Sequence, residues 1–162
     1  MEENKKMITM RKASEEDISI LFSVYGNSQD FKNLNLSNHN CEFVIVLNSN
    51  IPIGYSQINF ENNNVAEILT IYINETERSQ GLGDGLLRAT LNYIESKGYI
   101  WAIIAANEKL QPFLLSEGLQ PLNVASIPDN LIAHLENYDP NTSFFCHIPL
   151  FFSHGCKHED SI

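Results

Sequence analysis

The chain has 162 residues, 43% of them hydrophobic and 19% charged. This is the size and balance of one globular domain that can bury a sizeable core without metal or disulfide support. A net charge of −10 and a pI near 4.8 repel phosphate backbones and anionic headgroups, which excludes nucleic acid and membrane as expected main partners. The charge suits a cationic small molecule or a basic peptide.

No apolar run approaches the roughly 20 residues of a bilayer span, the best being Tyr99–Ala106. The start, M-E-E-N-K-K-M, lacks the apolar stretch of a signal peptide. Cys41, Cys146 and Cys156 make an odd count without secretory context, so reduced thiols and a cytoplasmic protein are expected.

In chain order, Ile8–Arg11 reads as a short strand. Ser14 with Asp17 three positions on is close to a capping box, and Ile18, Leu21, Phe22 and Tyr25 follow at helical spacing before Gly26-Asn27 stops the helix. Gln29–Asn40 is polar and Asn-rich, a loop or short irregular helix of the kind that borders a substrate cleft. Cys41–Leu47, Ile51–Phe60 and Val65–Ile73 read as three strands of an antiparallel meander, separated by Asn48-Ser49-Asn50 and Glu61-Asn-Asn-Asn64 turns.

The pattern then changes to alternating strand and helix. A Gly-rich loop, Asn74–Gly83, leads into a helix that places Leu82, Leu86, Leu87, Leu91 and Ile94 on one side, with Gly98 at its C′ position. Tyr99–Ala105 is apolar throughout, as a parallel strand buried under helices would be. A shorter helix ends at Gly118, a strand follows from Leu119, a helix is expected at Pro128–Asn137, and a strand at Ser143–Leu150. With no repeat or linker, one domain over 1–162 is expected, its core from about 8 to 150 and a polar tail at 151–162.

The most informative stretch is Arg78-Ser79-Gln80-Gly81-Leu82-Gly83, after a strand and opening a helix. Glycines let successive backbone N–H groups point into one concavity, and the helix start adds partial positive charge, so the stretch can hold a pyrophosphate. It is neither G-x-G-x-x-G nor a Walker loop, because no G-K-[ST] follows. Asp84 suits the helix dipole but sits close to such a phosphate, so it is expected to point outward.

R-x-x-G-x-G at this place, with the surrounding order of elements, resembles the GNAT acyltransferase superfamily. The likeness runs from about Ile8 to Leu122 and is strongest from Ala66 to Leu119. It implies an α/β fold with a central, mostly antiparallel mixed sheet flanked by helices. It implies an N-acetyltransferase that moves the acetyl group of acetyl-CoA onto an amine by direct attack. It also implies roles for residues: backbone amides from Gln80 to Gly83 on the CoA pyrophosphate, Ile71 and Ile73 along the pantetheine arm, and Asn107 facing that arm.

Glu67 is the one carboxylate within the apolar strand A-E-I-L-T-I-Y-I. Partial desolvation there would make it a better base near neutrality. The A-E-I run resembles the histone-acetyltransferase branch, in which the matching glutamate deprotonates the amine through water; a solvated carboxylate or a lysine-paired one is the alternative. The family's acid is a tyrosine in an F-Y pair, and here the pair is Phe113-Leu114, which cannot donate a proton. Tyr72 or a water is then the expected donor, and a non-catalytic acyl-CoA-binding module stands as the alternative. By the resemblance the oxyanion donor is the N–H of Ile73 or its neighbour. Pro112 would break a helix begun at Asn107, so the helix is expected to start near Gln111.

Cys146, His147, His154, Cys156 and His158 are soft-metal donors in no common finger spacing, and no metal is expected. Phe144, Phe145, Phe151 and Phe152 are expected to cover the sheet edge or a homodimer partner. Nothing in the sequence identifies the amine.

Overall fold

The computed structural model describes residues 6–27, 40–78 and 80–153. Seven strands, β1 (Ile8–Lys12), β2 (Cys41–Asn48), β3 (Ile51–Asn59), β4 (Ala66–Ile73), β5 (Trp101–Ala105), β6 (Gln120–Pro121) and β7 (Ser143–His147), lie in one mixed α/β sheet in the order β1-β2-β3-β4-β5-β7-β6. Among the described residues the helices are α1 (Glu15–Tyr25), α2 (Leu82–Ser96), α3 (Gln111–Ser116), α4 (Asp129–Ile132) and α5 (Ile148–Ser153). None is long and apolar enough to cross a membrane. The chain forms two compact units, one of Met1–Glu61 with Ile68–Tyr93 and one of Asn62–Glu67 with Ile94–Ile162.

In the first unit, β1 pairs antiparallel with β2 from Ile8 opposite Asn48 to Lys12 opposite Val44. β2 pairs antiparallel with β3, with a bulge between Val46 and Leu47. The turn between them uses Ser49 and Asn50, both at positive φ (49° and 71°), the twist that suits a two-residue hairpin. The α1 cap is the reciprocal one expected: the Asp17 amide donates to Ser14 Oγ at 3.2 Å and the Ser14 amide donates to Asp17 Oδ2 at 3.0 Å. Arg11 adds an ion pair to the same carboxylate. Burial pushes the Asp17 carboxyl up, but the Ser14 amide and Arg11 outweigh it and hold it below the usual carboxylate range.

Leu21 and Tyr25 of α1 are buried with Ala13, Phe43, Ile45, Leu47 and Tyr55, and Ile18, Phe22 and Tyr72 close over them. Leu86, Leu87 and Leu91 of α2 are fully buried, as their spacing requires. Between them Thr90 Oγ1 lies 2.6 Å from Ser56 Oγ of β3, so a fully buried polar pair satisfies itself. Lys12 Nζ meets Glu42 Oε1 at 3.0 Å, and Tyr93 Oη donates to the same oxygen at 2.6 Å.

In the second unit, β5 pairs antiparallel with β7, from Trp101 opposite His147 to Ala105 opposite Ser143, and β6 lines the other side of β7. Val65, Ile103, Leu131, Leu135 and Phe145 form the core, with Trp101, Leu122, Ala125, Ile127 and Tyr138 packed on it. The indole of Trp101 stacks on Phe145 at 5.2 Å.

Three boundaries differ from expectation. β5 begins at Trp101 rather than Tyr99, because Gly98 (φ 95°) ends α2 and the Tyr99 amide still bonds Ile94 O at 3.4 Å. The helix expected at Pro128–Asn137 shrinks to α4 and a 3-10 turn at Ala133–Leu135. β7 stops at His147 rather than Leu150, since Pro149 cannot donate to a ladder but suits the first turn of α5. Phe144, Phe145 and Phe151 are buried, so they serve this chain's own interior. Most of the expected Gln29–Asn40 loop lies outside the described residues, as does the tail from His154.

Candidate active site

The bend that opens α2 turns on Gly81, whose φ of 76° is a conformation that side chains rarely adopt. Space is open where its Cβ would sit, and Gln80 and Gly81 are exposed. The first helical bond runs from the Gly85 amide to Gly81 O at 3.2 Å. The amides of Leu82, Gly83 and Asp84 therefore precede any helical carbonyl that could take them. This is the surface geometry of an anion cradle. Asp84 turns aside to Arg88, whose Nε lies 3.3 Å from its Oδ1. Ser79 lies outside the described residues.

Arg78 does not project freely. Its Nε donates to Ile73 O at 2.8 Å, and its guanidinium lies over the Tyr72 ring, 5.4 Å from the centroid. Tyr72 also packs edge-on to Tyr25 at 5.5 Å and against Tyr55 at 5.8 Å. Tyr25 Oη donates to Asn74 Oδ1 at 2.7 Å; burial, then Tyr72, pushes its phenol up to about 12. The Asn74 amide donates to Ile53 O at 2.8 Å. Asn74 therefore has no free amide for an oxyanion, and of the neighbours of Ile73 it drops out as a donor. The first unit thus gathers Ile71, Tyr72, Ile73, Arg78 and Gln80–Gly83 around the junction of β4 and the bend.

Glu67 and Asn107 belong to the second unit. Glu67 is half-buried on β4 and accepts a hydrogen bond from Tyr138. Burial pushes the Tyr138 phenol well above its ordinary value, and the Glu67 carboxylate pushes it further. Asn107 Oδ1 accepts the Leu110 amide at 2.9 Å, so its side chain caps the turn that leads into α3. α3 starts at Gln111 with Pro112 in its first turn, as expected. Leu114 is fully buried, so that position packs the interior and offers no proton.

Two residues escaped the sequence reading. Tyr138 stands in the turn-rich run Asn137-Tyr138-Asp139-Pro140, where an aromatic among turn formers is the only local sign. His134 sits between Asn62 and Asn64, whose Nδ2 atoms lie 3.1 and 3.2 Å from its two ring nitrogens. Among the described residues, no three His, Cys, Asp or Glu side chains converge as metal ligands. Cys146 is buried, which pushes its thiol up to about 12, and His147 Nδ1 accepts the Leu150 amide at 3.2 Å. His154, Cys156 and His158 lie outside the described residues.

Solved structures share this fold. Tetrahymena GCN5 is similar with a TM-score of 0.70 at 14% identity, over 86% of this chain and 96% of its own. The PaiA N-acetyltransferase of Thermoplasma acidophilum, solved in complex with coenzyme A, gives 0.59 at 16% identity, over 86% of this chain and 96% of its own. N-acetylglutamate synthase from Neisseria gonorrhoeae, complexed with coenzyme A and N-acetyl-glutamate, gives 0.64 at 15% identity, over 88% of this chain but 35% of that one. No curated protein matches. The profile of the acetyltransferase (GNAT) family matches residues 9–117, well over half of the sequence. The chain therefore belongs to the GNAT acetyltransferase family, whose enzymes transfer acyl groups from acyl-coenzyme A.

Proposed function

We propose that this protein transfers the acetyl group of acetyl-CoA to a primary amine of a small molecule or peptide, by direct attack in a ternary complex. The observation that carries the reading is the exposed Gly81 bend, with first-turn amides of α2 that have no helical partner. Amides of Gln80–Gly83 hold the diphosphate, a role that needs little side-chain charge. Ile71 and Ile73 line the pantetheine arm beside β4, and Asn107 contacts it with the amide nitrogen that its cap leaves over. Arg78 serves the site by holding the bend to Ile73 and Tyr72.

In the reaction, Glu67 takes a proton from the ammonium through a water, the amine attacks the thioester carbon, the C–S bond breaks, and the thiolate takes a proton from water or Tyr72. The odd count of three cysteines in the sequence fits a reducing, cytoplasmic setting.

The test is incubation with acetyl-CoA and a panel holding an alkyl diamine, amino acids and a lysine-containing peptide, with release of free CoA thiol followed. Amine-dependent thiol release is expected. Tight CoA binding without release from any member would overturn transfer but keep the binding site, and absence of CoA binding would overturn both.

A further inference from the structure

The segment before β1 is anchored beside the bend that opens α2. The Ser49 amide donates to Met7 O at 2.9 Å, which fixes the chain just ahead of β1. Met10 of β1 lies against the first turn of α2, its Cε 3.0 Å from where a Cβ on Gly85 would sit. Lys6 reaches the bend itself. Its Nζ donates to Gln80 Oε1 at 2.7 Å, although the two residues stand 74 positions apart.

An ammonium has three N–H donors, and among the described residues Gln80 takes the one hydrogen bond that Lys6 makes. The other neighbour is Glu77, whose Oε2 lies 3.7 Å away, an ion pair too long for a hydrogen bond. That oxygen is buried and accepts no hydrogen bond among the described residues. The Lys6 side chain is half exposed, on the same rim as the exposed Gln80 and Gly81, so its remaining N–H groups are open to a ligand.

The charges around the bend make this cation matter. Arg78 is turned to Ile73 O and the Tyr72 ring, and Arg88 to Asp84. Glu75 and Glu77 precede the bend, and the whole chain carries −10. An anion drawn to the amides of Gln80–Gly83 works against that field, and amide dipoles carry only partial charge. Lys6 sets a full positive charge on the side chain of the residue whose amide begins the cradle.

We propose that Lys6 is a binding residue for the CoA diphosphate and that Glu77 competes with the phosphates for its ammonium. The proposal rests on the reading of the Gly81 bend as the diphosphate site. A phosphate oxygen takes an open N–H of Lys6 in a charge-assisted hydrogen bond, whereas Glu77 attracts it through space alone.

Calorimetry on the full chain at low salt, with CoA and 3′-dephospho-CoA as probes, tests this. Lys6→Met keeps the aliphatic stem and removes the charge, so it weakens both probes by about tenfold. Glu77→Gln keeps the shape, removes the competitor, and tightens both by about threefold. The Lys6→Met deficit shrinks at about 0.5 M salt, where screening is strong. If Lys6 only braces the bend, both variants bind more weakly, because each breaks the same pair, and that result overturns the proposal. Equal affinities of wild type and Lys6→Met overturn it too, as does a deficit that salt leaves unchanged. A loss confined to CoA would move Lys6 to the 3′-phosphate and overturn the diphosphate contact. If wild type binds neither probe, the reading of the bend falls instead. Melting temperatures without ligand check the fold, and should Lys6→Met fail to fold, the sign of the Glu77→Gln effect decides.

Discussion

At Gly81 the positive φ and the open space beside the missing Cβ have separate consequences. A Cβ there meets no atom within 4 Å, so the penalty at that atom is backbone strain of about 1–3 kcal/mol. Gly81→Val is therefore expected to fold, relieve the strain by rotating the bend, and disperse the amides of Gln80–Gly83. CoA affinity measured by calorimetry should fall at least about tenfold while the melting temperature drops only slightly. Gly81 and Gly83 were legible in the sequence because a backbone cradle is written in a few adjacent residues. Glu67 was legible as a charge among apolar neighbours, yet its partner Tyr138 was not, since a side-chain contact between distant parts of a chain leaves no local pattern. Arg78 was read as a cofactor contact from its place in the motif, and its bond to Ile73 O needed coordinates.

Among the elements, periodicity carried far where it was long. α2 and the meander of β2, β3 and β4 lie within a residue or so of their expected bounds, because burial on one face repeats over several turns or pleats. Short pieces such as α4 and α5 have too few residues for a period, so local hydrogen bonds decide them. Gly54 of β3 gives a test of strand packing. A Cβ there would lie 2.5 Å from Tyr72 O and 2.7 Å from Ile73 Cδ1. Backbone oxygen cannot move aside cheaply, so Gly54→Ala should destabilise by about 1–3 kcal/mol. Thermal unfolding should show a melting temperature lower by about 5–10 °C. An unchanged melting temperature would mean that β3 and β4 separate more easily than their close approach implies.

For the molecule as a whole, the net charge of −10 predicts a preference among acceptors. Cationic amines should be drawn in by the summed field and anionic ones repelled. The KM for a diamine should rise several-fold between low salt and about 0.5 M salt, where the screening length shrinks to a few ångströms. A salt-independent KM would assign acceptor choice to contacts alone. The strand order has its own outcome for solubility. Each sheet has two rims, and here they are β1 and β6. On β1, Arg11 and Lys12 are held by Asp17 and Glu42, while β6 is two residues long and ends in Pro121. Paired charges at one rim, and a missing N–H at the other, deny a stray strand the ladder it would need to add itself. The protein should therefore withstand crowding at high concentration without forming fibrous aggregates through its rims.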